Sequence, residues 1–176
     1  MRFLQKIRRK ILGLPTAAMV LAGALLCLAG CEAKQAESKQ LQGFALDTVI
    51  TITAYGNVDQ TVLQGCLDLC GEYELIFSRT NENSELYRLN AAGGGTVSTP
   101  MREVLEAALN YCALSGGKFD ITMGGVSALY GFSSQTPSVP TEAELAEAMT
   151  HAGYEKLVLE GNELTITDPG TVIDLG

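Results

Sequence analysis

The chain has 176 residues, 12 of them basic and 20 acidic, with one histidine, no tryptophan, 19 glycines and a net charge of −8. That balance repels nucleic-acid phosphates and anionic lipid head groups, and so argues against a nucleic-acid partner and against membrane docking through basic residues. The length suits one domain of ordinary size, and many glycines with few aromatics describe a loop-rich protein mixing strands and amphipathic helices, an α+β fold.

Arg2, Lys6, Arg8, Arg9 and Lys10 precede an apolar run from Ile11 to Leu28, and Leu28-Ala29-Gly30-Cys31 closes that run with small residues before a cysteine. This is the order of a bacterial lipoprotein signal. Residues 1–30 are expected to be removed and Cys31 lipidated, which anchors the protein on the extracytoplasmic face of the cell membrane. The run is almost long enough to span a bilayer, but Gly13, Pro15 and Gly23 interrupt it. Residues 32–42 are polar and read as a flexible tether, so the expected organisation is a signal over 1–30, a tether over 31–42 and a folded portion over 43–176. Cleavage removes five basic residues and no acidic one, leaving 146 residues with a net charge of −13.

Leu46 to Tyr55 alternates β-branched residues on two faces and predicts a strand. Gly56 and Asn57 end it. Val58 to Phe77 follows as a long amphipathic helix whose inner stripe is expected to hold Val62, Cys66, Leu69, Cys70, Tyr73, Ile76 and Phe77. Cys66 and Cys70 on that stripe read as small core residues, without the further ligands of a metal site. Ser78 to Asn90 is polar and rich in turn formers, and Gly93-Gly94-Gly95 reads as a tight connection, since no Gly-Lys-Ser/Thr follows to make a phosphate loop.

Thr99-Pro100 opens a second helix with Val104, Leu105, Ala108, Leu109 and Cys112 inside and Gly116-Gly117 at its end. Phe119 to Phe132 fits neither helix nor strand, and Gly125-Val126-Ser127-Ala128-Leu129 lacks the last glycine of a nucleophile elbow, which disfavours a serine hydrolase. Thr141 and Glu144 form a capping box for a third helix carrying Leu145, Ala148 and Met149. His151 stands at its C-terminal end and has no nearby nucleophile for a triad. Leu157 to Glu160 and Glu163 to Thr167 flank Gly161-Asn162 as a hairpin, and Thr171 to Leu175 begins another strand.

Four blocks of this sequence resemble the FAD:protein FMN transferases, the ApbE-type thiamine biosynthesis lipoproteins. Phe44-Ala45-Leu46-Asp47-Thr48 is similar to a motif usually written Met-Gly-Thr. Phe77-Ser78-Arg79-Thr80 with Ser84-Glu85-Leu86 and Arg88-Leu89-Asn90 resembles the second block. Gly117-Lys118-Phe119-Asp120-Ile121-Thr122 with Leu129-Tyr130-Gly131-Phe132 resembles the third, and Val172-Ile173-Asp174-Leu175-Gly176 the opening of the fourth. The match runs from Phe44 to Gly176 and resembles the N-terminal part of the family's fold. The lysine that follows the fourth block in the family, and its late Asp/Thr metal cluster, are not in this chain.

The resemblance implies phosphoryl transfer: a threonine hydroxyl of an acceptor flavoprotein, such as a subunit of a membrane redox complex, attacks the FMN-side phosphorus of FAD and AMP leaves. It implies FAD as substrate and Mg2+ as the ion that neutralises the pyrophosphate. In the family, FAD contacts fall at the positions of Leu46, Thr80, Lys118, Phe119, Asp120 and Asp174. No catalytic or metal-binding residue is expected within this chain, which alone is expected to be inactive. Leu46 offers apolar contact to a ring, whereas Thr80 has no ring to stack where the family carries an aromatic. Export with a lipid tether is also the plan of a flavin-binding or solute-binding lipoprotein without transferase activity.

Overall fold

The computed structural model describes residues 37–132 and 136–176. The expected signal over 1–30, Cys31 and the first part of the expected tether lie outside these residues. Two compact units are distinguished. The described part of the smaller comprises residues 37–39 and Tyr55–Val58, within which Gly56 N–H donates to Glu37 O at 2.8 Å and Lys39 Nζ to Val58 O at 2.6 Å. The larger holds Gln40–Ala54 and Asp59–Gly176.

Strands β1 (Ser38–Ala45) and β2 (Thr48–Tyr55) form a two-stranded sheet. Residues 38–42 therefore belong to a strand and not to the tether expected from their polarity: a strand exposed on one face tolerates polar residues at every second position. The turn between β1 and β2 is Leu46-Asp47, with φ of 53° and 56°. Two positive φ values are what a two-residue type I′ turn requires, at a steric penalty for leucine of about 1–2 kcal/mol.

Helix α1 (Gln60–Phe77) begins at Asp59, whose carboxylate accepts from Thr61 N. Its inward face agrees with the expected one at Cys70, Ile76 and Phe77, the last two packed against the core, and differs elsewhere. Leu63 is fully buried, and Leu67, Cys70, Glu74 and Phe77 are half-buried. Val62, Leu69 and Tyr73 are 54%, 48% and 41% exposed, and Cys66 is exposed with them. The helix carries two adjacent apolar stripes of the same period, and periodicity alone does not choose between them. Packing chooses: a Cβ on Gly43 of β1 would run into the Leu67 side chain, so the hairpin rests on the Leu67 stripe. In the full-length gene product we expect Cys66 to alkylate at close to the rate of a free thiol. Cys112, fully buried and with its thiol pKa raised by that burial, should label far more slowly. Peptide mapping by mass spectrometry separates the two, and equal rates would contradict this assignment.

The polar stretch after α1 contains a further helix, α2 (Glu85–Ala92), that composition hides. Ser84 caps it by accepting from Tyr87 N at 3.0 Å, and Gly93 ends it in the left-handed region at φ 73°. The turn-forming residues before Glu85 are thus a cap and its approach. Gly94–Thr96 is strand β3. It pairs antiparallel with β5 (Glu163–Ile166), which pairs antiparallel with β4 (Leu157–Glu160), giving the order β3-β5-β4. At Gly94 a Cβ would collide with the Leu164 carbonyl, which is why the glycine run can enter the sheet.

Helix α3 (Thr99–Leu114) is capped by Ser98, one residue before the expected Thr99, with Pro100 in its first turn. Met101, Leu105, Ala108 and Cys112 are its buried residues. They join Leu86, Leu89, Val97, Ile121, Leu157, Leu164, Ile166 and Ile173 in one core between the helices and the three-stranded sheet. A short helix, α4 (Gly124–Tyr130), occupies the segment that fits no regular pattern, and no side chain caps it. Gly124 N–H donates to Val172 O at 3.0 Å, and a Cβ there would lie 2.7 Å from that oxygen. Tertiary contact overrides the poor helix propensity of the two glycines. Helix α5 (Glu142–Thr150) carries the expected capping box between Thr141 and Glu144, but none of its residues is buried, and Met149 is exposed. Among the described residues, no helix is long and apolar enough to cross a membrane.

Candidate functional site

The extended segment Thr171–Gly176 is the organising element. It forms a single parallel bridge, Met123 with Val172, where a longer strand is expected. On one edge Val172 O accepts from Gly124 N, and Asp174 N–H donates to Ile121 O at 2.8 Å. On the other edge Asn90 of α2 takes both backbone groups of Ile173: its Nδ2 donates to Ile173 O at 2.9 Å, and its Oδ1 accepts from Ile173 N at 2.8 Å. Asp174 Oδ2 lies 3.1 Å from Arg79 Nε, and Asp174 Oδ1 accepts from Gly176 N at 3.3 Å.

Arg79 follows the C-terminal cap of α1, and Thr80 follows Arg79. Thr80 Oγ1 donates to Asp47 Oδ2 at 3.4 Å, and Leu46 N–H donates to Glu74 Oε2 at 3.3 Å. The strained hairpin turn is therefore held from α1 and from the loop after it. Leu46 is exposed.

Asp120 is fully engaged by the protein. Its Oδ1 accepts from Thr122 N at 2.8 Å and Thr122 Oγ1 at 2.6 Å, and its Oδ2 from Tyr154 N at 2.9 Å. Thr122 Oγ1 in turn accepts from Gly153 N at 2.7 Å. The carboxylate thus ties the approach to α4 to the turn that starts β4. Lys118 and Phe119 sit in the exposed loop before it, where Phe119 N–H donates to Ser115 Oγ at 3.0 Å.

The six residues expected from the sequence are linked through neighbours: Leu46-Asp47 to Thr80, Arg79 to Asp174, and Asp174 to Ile121 beside Asp120. Sequence reasoning missed Asp47, Glu74, Arg79 and Asn90 as parts of this network. Arg79 and Asn90 stand inside a quoted block, but their partners are 95 and 83 residues away, a separation no local pattern reports. A separate groove of about 500 Å³ between α2 and β3 is lined by Glu85, Arg88, Leu89, Gly94, Gly95 and Thr96, among others, and by none of the six. Among the described residues no group of three or more His, Cys, Asp or Glu could hold a metal ion.

A second polar cluster is structural. Asp168 pairs with Lys156 Nζ at 2.8 Å and His151 Nδ1 at 3.0 Å and accepts from Gly170 N at 2.9 Å. The Lys156 bond first, then the Gly170 N–H and His151, holds its carboxyl far below the usual range. A depressed folded-state pKa adds stability that is fully present above the unfolded value of about 3.9 and fades as the pH falls below it. Between pH 5 and 2 the wild type should therefore lose more stability than Asp168→Asn, as read from denaturant midpoints. Parallel acid profiles would refute that role.

The model of the ApbE family matches residues 46–176. The chain belongs to the ApbE family. An FAD:protein FMN transferase of Vibrio cholerae is 34% identical over 166 residues, covering 89% of this chain and 49% of that protein. One from Treponema pallidum is 26% identical over 124 residues, covering 65% of this chain and 34% of that protein. The structure of the flavin transferase ApbE from Vibrio cholerae superposes with a TM-score of 0.70 at 31% identity, covering 80% of this chain and 48% of that one. An ApbE protein from Thermotoga maritima gives a TM-score of 0.72 at 26% identity, with 79% and 47% covered. The mixed helix-and-strand architecture is that of the ApbE fold, and this ApbE-family chain spans about half the length of the Vibrio cholerae and Thermotoga maritima proteins and about a third of the Treponema pallidum one.

Proposed function

We propose that the protein carrying this chain is an FAD:protein FMN transferase and that these residues form part of its flavin cradle. The observation that carries the reading is the 34% identity to the Vibrio cholerae transferase across 89% of this chain. The acceptor's threonine oxygen forms a bond to the FMN-side phosphorus of FAD, the pyrophosphate P–O bond breaks, AMP departs, and the hydroxyl proton passes to a base. Within this chain the work is binding. Leu46 offers apolar surface to the flavin, Lys118 a positive charge to the pyrophosphate, Phe119 an exposed ring, and Asp174 acceptor oxygens for amine or hydroxyl donors, while Asp120, engaged by Thr122 and Tyr154, holds the loop that carries Lys118 and Phe119. Thr80 contributes a hydroxyl, already turned to Asp47. Bound Mg2+ would supply charge neutralisation at the pyrophosphate. Among the described residues no group of three or more His, Cys, Asp or Glu fits it.

The proposed setting is the extracytoplasmic face of the membrane, with Cys31 lipidated; Cys31→Ser should release the protein from the membrane fraction. The deciding experiment incubates the full-length gene product with FAD, Mg2+ and a threonine-bearing acceptor flavoprotein. Transfer yields an acceptor heavier by one FMN less one water, and one AMP per event. FAD bound with no AMP released would make the protein a flavin-binding lipoprotein instead.

A further inference from the structure

We infer that Asn90 is a positioning residue for Asp174 in flavin binding. The inference rests on the proposed transferase reading. Along Thr171–Gly176 the backbone groups alternate between two neighbours. Val172 O and Asp174 N–H face the turn at Ile121–Gly124, while Ile173 N–H and C=O face the opposite way. A regular sheet would satisfy the second edge with another strand, but here one side-chain amide does so. Asn90 presents an acceptor and a donor 2.8 and 2.9 Å from the Ile173 N–H and C=O, the pair of bonds a strand residue would make.

Asp174 is the next residue. Its backbone N–H is fixed to Ile121, so with Ile173 clamped its main chain is held on both edges. Its carboxylate then has a defined origin from which to meet Arg79 and a ligand. Asn90 itself is on α2, anchored in the core by Leu86 and Leu89 on the same helix, so the rigidity of the core passes to the acidic side chain through the amide. Losing the amide leaves two backbone groups of Ile173 unpaired and invites water between α2 and the segment.

The test is a double-mutant cycle in the full-length gene product, with FAD affinity read from flavin fluorescence and stability from thermal unfolding. Asn90→Ala should weaken FAD binding about tenfold or more, a factor that in the Asp174→Asn background should shrink to less than about threefold, because the clamp then has no carboxylate to aim. Asn90→Asp, nearly the same size, keeps the acceptor for Ile173 N–H and sets a carboxylate against Ile173 O. It should weaken binding in the same direction if the alanine variant fails to fold. Leu105→Ala, a core truncation on α3 and away from the clamp, should lower the melting temperature at least as much while leaving FAD affinity within about threefold of wild type. Equal losses from Asn90→Ala in both backgrounds, or Leu105→Ala weakening FAD as strongly as Asn90→Ala, would overturn the inference and leave the transferase reading intact. No FAD binding and no transfer by the wild type would bring down both.

Discussion

Replacing Asp120 with alanine should destabilise the full-length protein by about 2–4 kcal/mol in the absence of FAD. The carboxylate accepts three hydrogen bonds, two from Thr122 and one from Tyr154 N–H, and hydrogen bonds to charged groups each contribute about 1.5–3 kcal/mol. Thr122 is almost wholly buried, so its hydroxyl has little water to turn to once the carboxylate is gone. The Thr122 N–H shares that burial, whereas Tyr154 is half-buried. Asp120→Asn should fall between, because the amide oxygen can still receive Thr122 while the amide nitrogen faces the Tyr154 N–H donor to donor. Equilibrium unfolding in urea measures both. An alanine variant within about 0.5 kcal/mol of wild type would mean the three bonds carry no net stability. The measurement also bears on function: a residue spent on organising its own turn perturbs FAD binding through the loop at Lys118 and Phe119 even without touching the ligand.

The parts of the fold legible in the sequence are those with a long period or a complete local signature. Helix α1, helix α3, the Thr141 capping box and the hairpin around Gly161-Asn162 all stand where pattern and turn chemistry place them. The failures share a cause. Helix α2 has eight residues, too few for its period to outweigh the polar residues of its own cap. Helix α4 begins with two glycines and exists because Val172 holds Gly124. The buried stripe of α1 is chosen by the hairpin on Leu67, and the partners of Arg79 and Asn90 lie across the chain. Each is settled by tertiary contact, which no window of sequence contains.

The candidate site divides the same way. Four blocks, read as resemblances, mark where Leu46, Thr80, the Lys118-Phe119-Asp120 run and Asp174 stand, but not how they are joined. The joints are a strained turn held by Glu74, a Thr80–Asp47 hydrogen bond, an Arg79–Asp174 ion pair and an amide clamp. Strain at Leu46 persists because neighbours on α1 and the following loop hold the turn from two sides, the condition under which a sparsely populated backbone conformation survives.

Core and site meet at Ile173, and truncating it should have the other large effect. Its side chain is fully buried in the cluster with Leu86, Leu89, Met101 and Leu105, while its backbone is the part gripped by Asn90. Ile173→Ala removes three carbons from that cluster and should cost about 3–4 kcal/mol, the lost transfer energy plus the cavity left where helices on one side and a sheet on the other limit collapse. Ile173→Val, which leaves most of the volume, should cost about 1 kcal/mol. Urea midpoints of the two variants, with an unchanged slope, give the comparison. If the alanine variant loses less than about 1 kcal/mol, the segment is not seated in the core as described. In that case Asn90 would hold a strand that nothing beneath it fixes, and Asp174 would have no rigid base from which to meet a ligand.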